Sequence, residues 1–96
     1  MFEWDEEKNT KNLTKHGVRF ELAREIFERW MLSAIDDRRD YGEVRQVSIG
    51  VTRTRNFLVV VHTERGGRQR VISARPASSE ERARYEQAVR SAIDFG

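Results

Sequence analysis

The sequence predicts an α+β domain in which a small antiparallel β-sheet packs with two N-terminal helices and a C-terminal helix. Three observations carry that prediction. Residues 44–76 break into the strand-like runs VRQVSIGVT, FLVVVHTE and RQRVISARP, joined by RTRN and RGGR, and such short connections imply an antiparallel meander. Upstream, apolar residues 20, 23, 26, 27, 30 and 31 recur at helical spacing. Downstream, Ser78 and Glu81 form a capping box ahead of a second stripe, Tyr85, Ala88, Val89, Ala92 and Ile93.

Taken in order, FEW at the start reads as a short strand, with Phe2 and Trp4 on one face by the period of two. Asp5 is placed to cap the helix EEKNTKNLTKHG, whose first turn carries Glu6 and Glu7 where the helix dipole favours acids. Lys15 and His16 sit in its last turn, and Gly17 is a stop signal. Leu13 is its only apolar side chain, so this helix needs something other than hydrophobic burial to hold it. The main core helix is expected within VRFELAREIFERWML, with Phe20, Phe27 and Trp30 as packing residues. Residues 36–43, DDRRDYGE, read as a connection. Gly66-Gly67 is a tight hairpin turn, which pairs Thr63 with Arg70 and His62 with Val71. That register puts Leu58, Val60, His62, Val71, Ser73 and Arg75 on one face, and its extension across RTRN adds Arg45, Val47, Ile49 and Val51. Pro76 ends the last strand.

At 96 residues the chain makes one domain, 1–96. With 38% hydrophobic and 35% charged residues, its core is small and its surface densely ionic. It has no cysteine, which excludes disulfides, thiolate catalysis and cysteine-ligated zinc, and fits a cytoplasmic location. No apolar run approaches a membrane span, and the N-terminus has no signal-peptide pattern. The net charge of +2 conceals an asymmetry: residues 43–77 hold seven arginines against Glu43 and Glu64, a balance of +5. Such a concentration suits phosphate, although arginines also protect strand edges from unwanted pairing.

Metal-ligand spacing, a phosphate loop and a dinucleotide fingerprint are all missing, so no cofactor or metal is expected. Metal-free RNA cleavage fits the residues present. RNA brings its own nucleophile, the 2′-hydroxyl, and the protein supplies a base, an acid and cations for the developing phosphorane charge. Arginine meets phosphate oxygens bidentately, and histidine exchanges protons near neutrality. Each candidate has a plainer account. His16 can complement a helix C-terminus, His62 can be a packed strand residue, Glu43 and Arg45 can be a local ion pair, and Lys8 can be an inert surface lysine.

The order of several motifs adds more. FEWDEEKNTKNLTKHGVRFELA, then YGEVRQVSIG, then LVVVHTERGGRQRVISARPASSEERARYE together resemble the BrnT family, the small ribonuclease toxins of type II toxin–antitoxin systems. The resemblance covers roughly residues 2–86 and implies a RelE-like fold for a single BrnT-like toxin domain. It implies an endoribonuclease that cuts RNA without metal by 2′-hydroxyl attack, so inhibiting translation and growth. It also implies a BrnA-type ribbon-helix-helix antitoxin, with operator DNA reached only through that partner. Carried onto this sequence, the catalytic candidates are Lys8, His16, Glu43, Arg45 and Arg75, and the RNA-binding candidates are Arg65, Arg70 and His62. In this scheme Glu43 or Lys8 removes the 2′-hydroxyl proton and His16 protonates the leaving 5′-oxygen. One departure is visible: Arg19 stands where a capping Ser, Thr or Asp is expected before the second helix. The alternative function is a non-enzymatic module that binds nucleic acid or protein through the same basic sheet.

Overall fold

Asp5 does cap the first helix: its carboxylate accepts from the backbone N–H of Glu7 at 2.8 Å and of Lys8 at 3.3 Å. The structure, a computed structural model, describes residues 1–95, the side chains through Ile93. Its elements are β1 (Phe2–Glu3), α1 (Glu6–His16), α2 (Phe20–Ala23), a 3-10 segment (Arg24–Glu28), β2 (Leu32–Ile35), β3 (Gln46–Val51), β4 (Phe57–Arg65), β5 (Arg68–Pro76) and α3 (Ser79–Phe95). Five strands form one sheet in the order β1-β5-β4-β3-β2. The three predicted strands make its antiparallel centre. β1 runs parallel to β5 at one edge, so the sheet is mixed, and β2 forms the other edge.

The expected long core helix is the main correction. The chain is α-helical only over Phe20–Ala23, tightens to a 3-10 turn through Glu28, and then extends into β2. Positions 20, 23 and 26 are three apart, a spacing that a helix of three residues per turn satisfies as well as an α-helix does. Pairing of Leu32–Ile35 with β3 then takes the chain away from helix, and Trp30 is left 46% exposed. Arg19 stands at the N-cap of α2 without a side-chain cap bond. The cap comes from α1 instead, where Asn9 Oδ1 accepts from the Phe20 N–H at 2.8 Å.

Asn9 and Asn12 also explain how a helix with so little apolar surface is held. Both are buried. The Asn12 amide donates to Val18 O (2.9 Å) and Ala74 O (2.8 Å) and accepts from the Ala74 N–H (3.1 Å). It thus pairs with β5 as another strand would, satisfying backbone groups that burial would otherwise leave orphaned.

The sheet has two covered faces. On one, Val18, Phe20, Ala23 and Ile26 pack on Leu58, Val60, Val71 and Ala74. On the other, Tyr85 of α3 packs on Ile49, Val51 and Val59. Gly50 permits the first layer to sit close, since a Cβ there would lie 2.7 Å from Ile26 Cβ. Gly66 and Gly67 adopt φ of 55° and 78°, the left-handed pair that a two-residue hairpin of this hand requires.

The hairpin register matches expectation at its tip, His62 opposite Val71 and Thr63 opposite Arg70. A bulge then intervenes: Val61 pairs with Ser73, so Ile72 is skipped. One extra residue reverses the facing of everything beyond it. Ser73 and Arg75 therefore share the face of Val59 and Val61, not that of His62 as the simple pairing predicts. Across RTRN the register is also one residue from expectation. Val47 and Ile49 pair with Val61 and Val59, on the α3 face.

Candidate functional site

α3 covers only part of its face, and the uncovered part forms a groove of about 490 Å³. Val47, Val59, Val61, Ala34 and Ile35 line it with apolar side chains, and His16, Asp36, Asp37, Arg38, Ser73 and Arg75 supply its polar ones. His16 reaches it because Asn12, one turn earlier, fixes α1 to the β5 backbone at Ala74. Arg75 reaches it because the bulge turns the end of β5 toward this face.

Both groove arginines are held by carboxylates. Glu81 takes Arg75 Nη1 at 2.7 Å and Nη2 at 2.8 Å, while also accepting from the Ser78 N–H of its own capping box. Hydrogen bonding to Arg75 outweighs desolvation and holds the Glu81 carboxyl down at about 2. Asp36 takes Arg38 Nε and Nη2, each at 2.8 Å, and also accepts from the Tyr41 hydroxyl at 3.1 Å. Arg38 is the largest reason that the Asp36 carboxyl lies well below the usual carboxylate range.

A second cluster adjoins the first through Tyr41. The Arg45 guanidinium lies 4.1 Å from the Tyr41 ring centroid and donates to Glu43 Oε2 at 3.1 Å. Arg65 donates to Glu43 Oε1 at 3.1 and 2.7 Å. Hydrogen bonding to Arg65 first, and then to Arg45, keeps the Glu43 carboxyl below its ordinary value against the opposing cost of burial. Both oxygens being occupied, Glu43 serves here as an anchor for two cations rather than as a ready base.

The remaining candidates lie apart from the groove lining. Arg70 pairs with Glu3 at 2.9 Å, near the β1 edge. Lys8 is exposed near the start of α1, two turns before His16. His62, counted with the RNA-binding residues by sequence, is 2% exposed and belongs to the opposite layer. Its Nε2 lies 2.7 Å from Ser48 Oγ, its Nδ1 lies 3.0 Å from Gln69 Oε1, and Phe27 packs edge-on against its ring. Ser33 extends that buried chain to β2 through Ser48 at 2.6 Å. A ring enclosed in this way has no nitrogen left for RNA. Sequence reasoning missed Asp36, Asp37, Arg38 and Tyr41, which it read as a connection. The signal was present as the density of charge in DDRRD, but no periodicity says where a loop folds back.

Fold and groove define a class: a small α+β domain in which a helix histidine and a strand arginine line one groove of the sheet. The family model described as "Ribonuclease toxin, BrnT, of type II toxin-antitoxin system" matches residues 4–81. The chain belongs to the BrnT family of ribonuclease toxins. Such membership makes it the toxin of a type II system, with an antitoxin as its partner. The chain is also similar to the 1.1 Å crystal structure of the Brucella abortus ribonuclease toxin BrnT. The TM-score is 0.61 at 25% identity, covering 82% of this chain and 99% of that one. No curated protein sequence matches it. Among the described residues, no helix is long and apolar enough to cross a membrane.

Proposed function

We propose that this toxin cleaves RNA in the His16–Arg75 groove, without a metal ion, by attack of the RNA's own 2′-hydroxyl on the adjacent phosphate. The observation that carries the reading is the convergence of His16, Arg75 and a carboxylate, Asp37, on one open groove from three separate parts of the chain. Arg75 faces the developing phosphorane charge, the work for which a fixed guanidinium is suited. His16 gives its proton to the departing 5′-oxygen. Asp37 lines the groove and has no ion-pair partner among the described residues, so it takes the 2′-hydroxyl proton. That role passes from Glu43, whose oxygens are occupied, and from Lys8, which a helical rise places about 12 Å along α1 from His16. Lys8, Arg45, Arg65 and Arg70 contact flanking phosphates. Cleaved message in the cytoplasm would stop translation.

The antitoxin in this reading is of the BrnA type, a ribbon-helix-helix protein that also brings the pair to operator DNA. An acidic segment from it would cover the groove by charge match. The test is expression of the wild type beside an Arg45→Ala, Arg75→Ala double variant. Growth arrest with fragmented RNA in the first and normal growth in the second is expected. Arrest with intact RNA would identify a binding module instead, and equal arrest by both forms would remove these arginines from the mechanism.

A further inference from the structure

Arg38 has no role in the scheme above, yet its placement is as specific as that of Arg75. The two lie in the same groove and share one structural device. Each is gripped by a carboxylate through two nitrogens, and Arg75 Nη1 also donates to Pro76 O at 3.3 Å, which leaves its Nε uncommitted. Asp36 takes Nε and Nη2 of Arg38, so Nη1 remains for a ligand. The Arg38 side chain is 74% exposed, whereas that of Asp36 is only 2% exposed. Burying a carboxylate to orient an exposed arginine is a poor way to gain stability, because desolvation opposes the ion pair. It is a good way to fix a guanidinium in advance of binding. Asp36 is itself fixed twice more: Tyr41 donates to it, and its N–H donates to Arg45 O at 2.8 Å, closing the base of the β2–β3 loop.

We infer that Arg38 is a second phosphate-gripping residue of the groove, opposing Arg75, and that Asp36 and Tyr41 are the positioning residues that hold it there. Two guanidiniums facing one groove repel each other: Glu81 raises the Arg75 affinity for its proton, and the nearby Arg38 charge opposes that rise weakly. A phosphate between them relieves that repulsion and accepts from the nitrogen that each guanidinium has left uncommitted. The ligand class is thus a phosphodiester of the RNA backbone. The inference rests on the groove being the RNA site.

The experiment measures binding of a non-cleavable 2′-deoxy-substituted oligoribonucleotide over a salt series, and cleavage of its all-ribose counterpart. Arg38→Ala is expected to lower kcat/KM by about 10- to 100-fold, the scale of one or two charge-assisted hydrogen bonds. The slope of log affinity against log salt should fall by about 0.7, one phosphate contact on a single strand. Arg38→Gln keeps a donor for Asp36 without the charge and should show the same slope change, which guards against misfolding of the alanine form. Arg38→Lys should recover the slope but little of the kcat/KM, since a point charge lacks the fork. Asp36→Asn should keep the slope while affinity falls, a separation that general destabilisation does not produce. Arg75→Ala is measured alongside. If Arg75→Ala loses binding and both charge-free Arg38 variants match wild type, the inference about Arg38 is overturned and the groove stands. If all of them match wild type, the groove reading itself fails.

Discussion

Replacement of Asn12 by Ala should come close to unfolding this protein. The side chain is 7% exposed and makes three hydrogen bonds, to Val18 O, to Ala74 O and from the Ala74 N–H. Its removal orphans three backbone groups between α1 and the outer edge of β5. Each buried polar group left without a partner costs about 1–3 kcal/mol, and some are recovered by water, so the sum is about 3–6 kcal/mol. A domain of 96 residues has roughly 5–14 kcal/mol in total at typical values per residue. Urea unfolding followed by tryptophan fluorescence measures the loss. At a slope of about 1 kcal/mol per molar for so small a chain, the midpoint should fall by 3 M or more, roughly. The same variant should lose cleavage before it loses structure, because His16 is the next residue along that helix face. A loss below about 1 kcal/mol would refute the argument, since that is what a single solvated hydrogen bond contributes.

Three further outcomes follow from the packing and titration. Gly50→Ala sets a Cβ 2.7 Å from Ile26 Cβ and should cost about 1–3 kcal/mol by overpacking, read as a lower urea midpoint; an unchanged midpoint would mean the 3-10 segment yields freely. Burial holds the His62 ring below its ordinary affinity for protons, outweighing its hydrogen bond to Gln69. The unfolded chain therefore binds the extra proton first, and stability should be complete above about pH 6.5 and decline as the pH drops below it, a slope that His62→Gln should flatten. Glu81 is depressed from 4.5 to about 2, so its contribution is present above 4.5 and is lost as the pH falls toward 2. Because Arg75 is 44% exposed, solvent screening reduces that contribution to about 1 kcal/mol, and Glu81→Gln should lose that much at neutral pH in the same urea assay.

Much of the fold could be read from local chemistry. Asp5, Gly17 and the Gly66-Gly67 turn each act through their own backbone, so their positions in the sequence are enough. β2 could not be read that way, because LSAI follows an apolar run at helical spacing and becomes a strand only by pairing with β3. The skipped residue Ile72 is likewise invisible in a run as regular as RVISAR, although it decides which face Ser73 and Arg75 occupy. Asn9 and Asn12 escape any search for apolar stripes, since α1 is held by amides. At the site, motif order singled out His16 and Arg75, and both line the groove. It also marked His62, whose polarity serves a buried chain through Ser48 and Gln69. Arg38 went unmarked because a loop's fold is set by Asp36, Tyr41 and the backbone of Arg45 together, a tertiary arrangement without a local signature.

The central claim is that this groove cuts RNA with its own side chains, and one measurement addresses it directly. Purified toxin is incubated with RNA in EDTA, and the termini of the products are identified. Cleavage is expected to persist in EDTA, to leave 2′,3′-cyclic phosphate and 5′-hydroxyl ends, and to disappear in His16→Ala and Arg75→Ala. Cleavage only on addition of a metal ion, or products with 5′-phosphate ends, would contradict it.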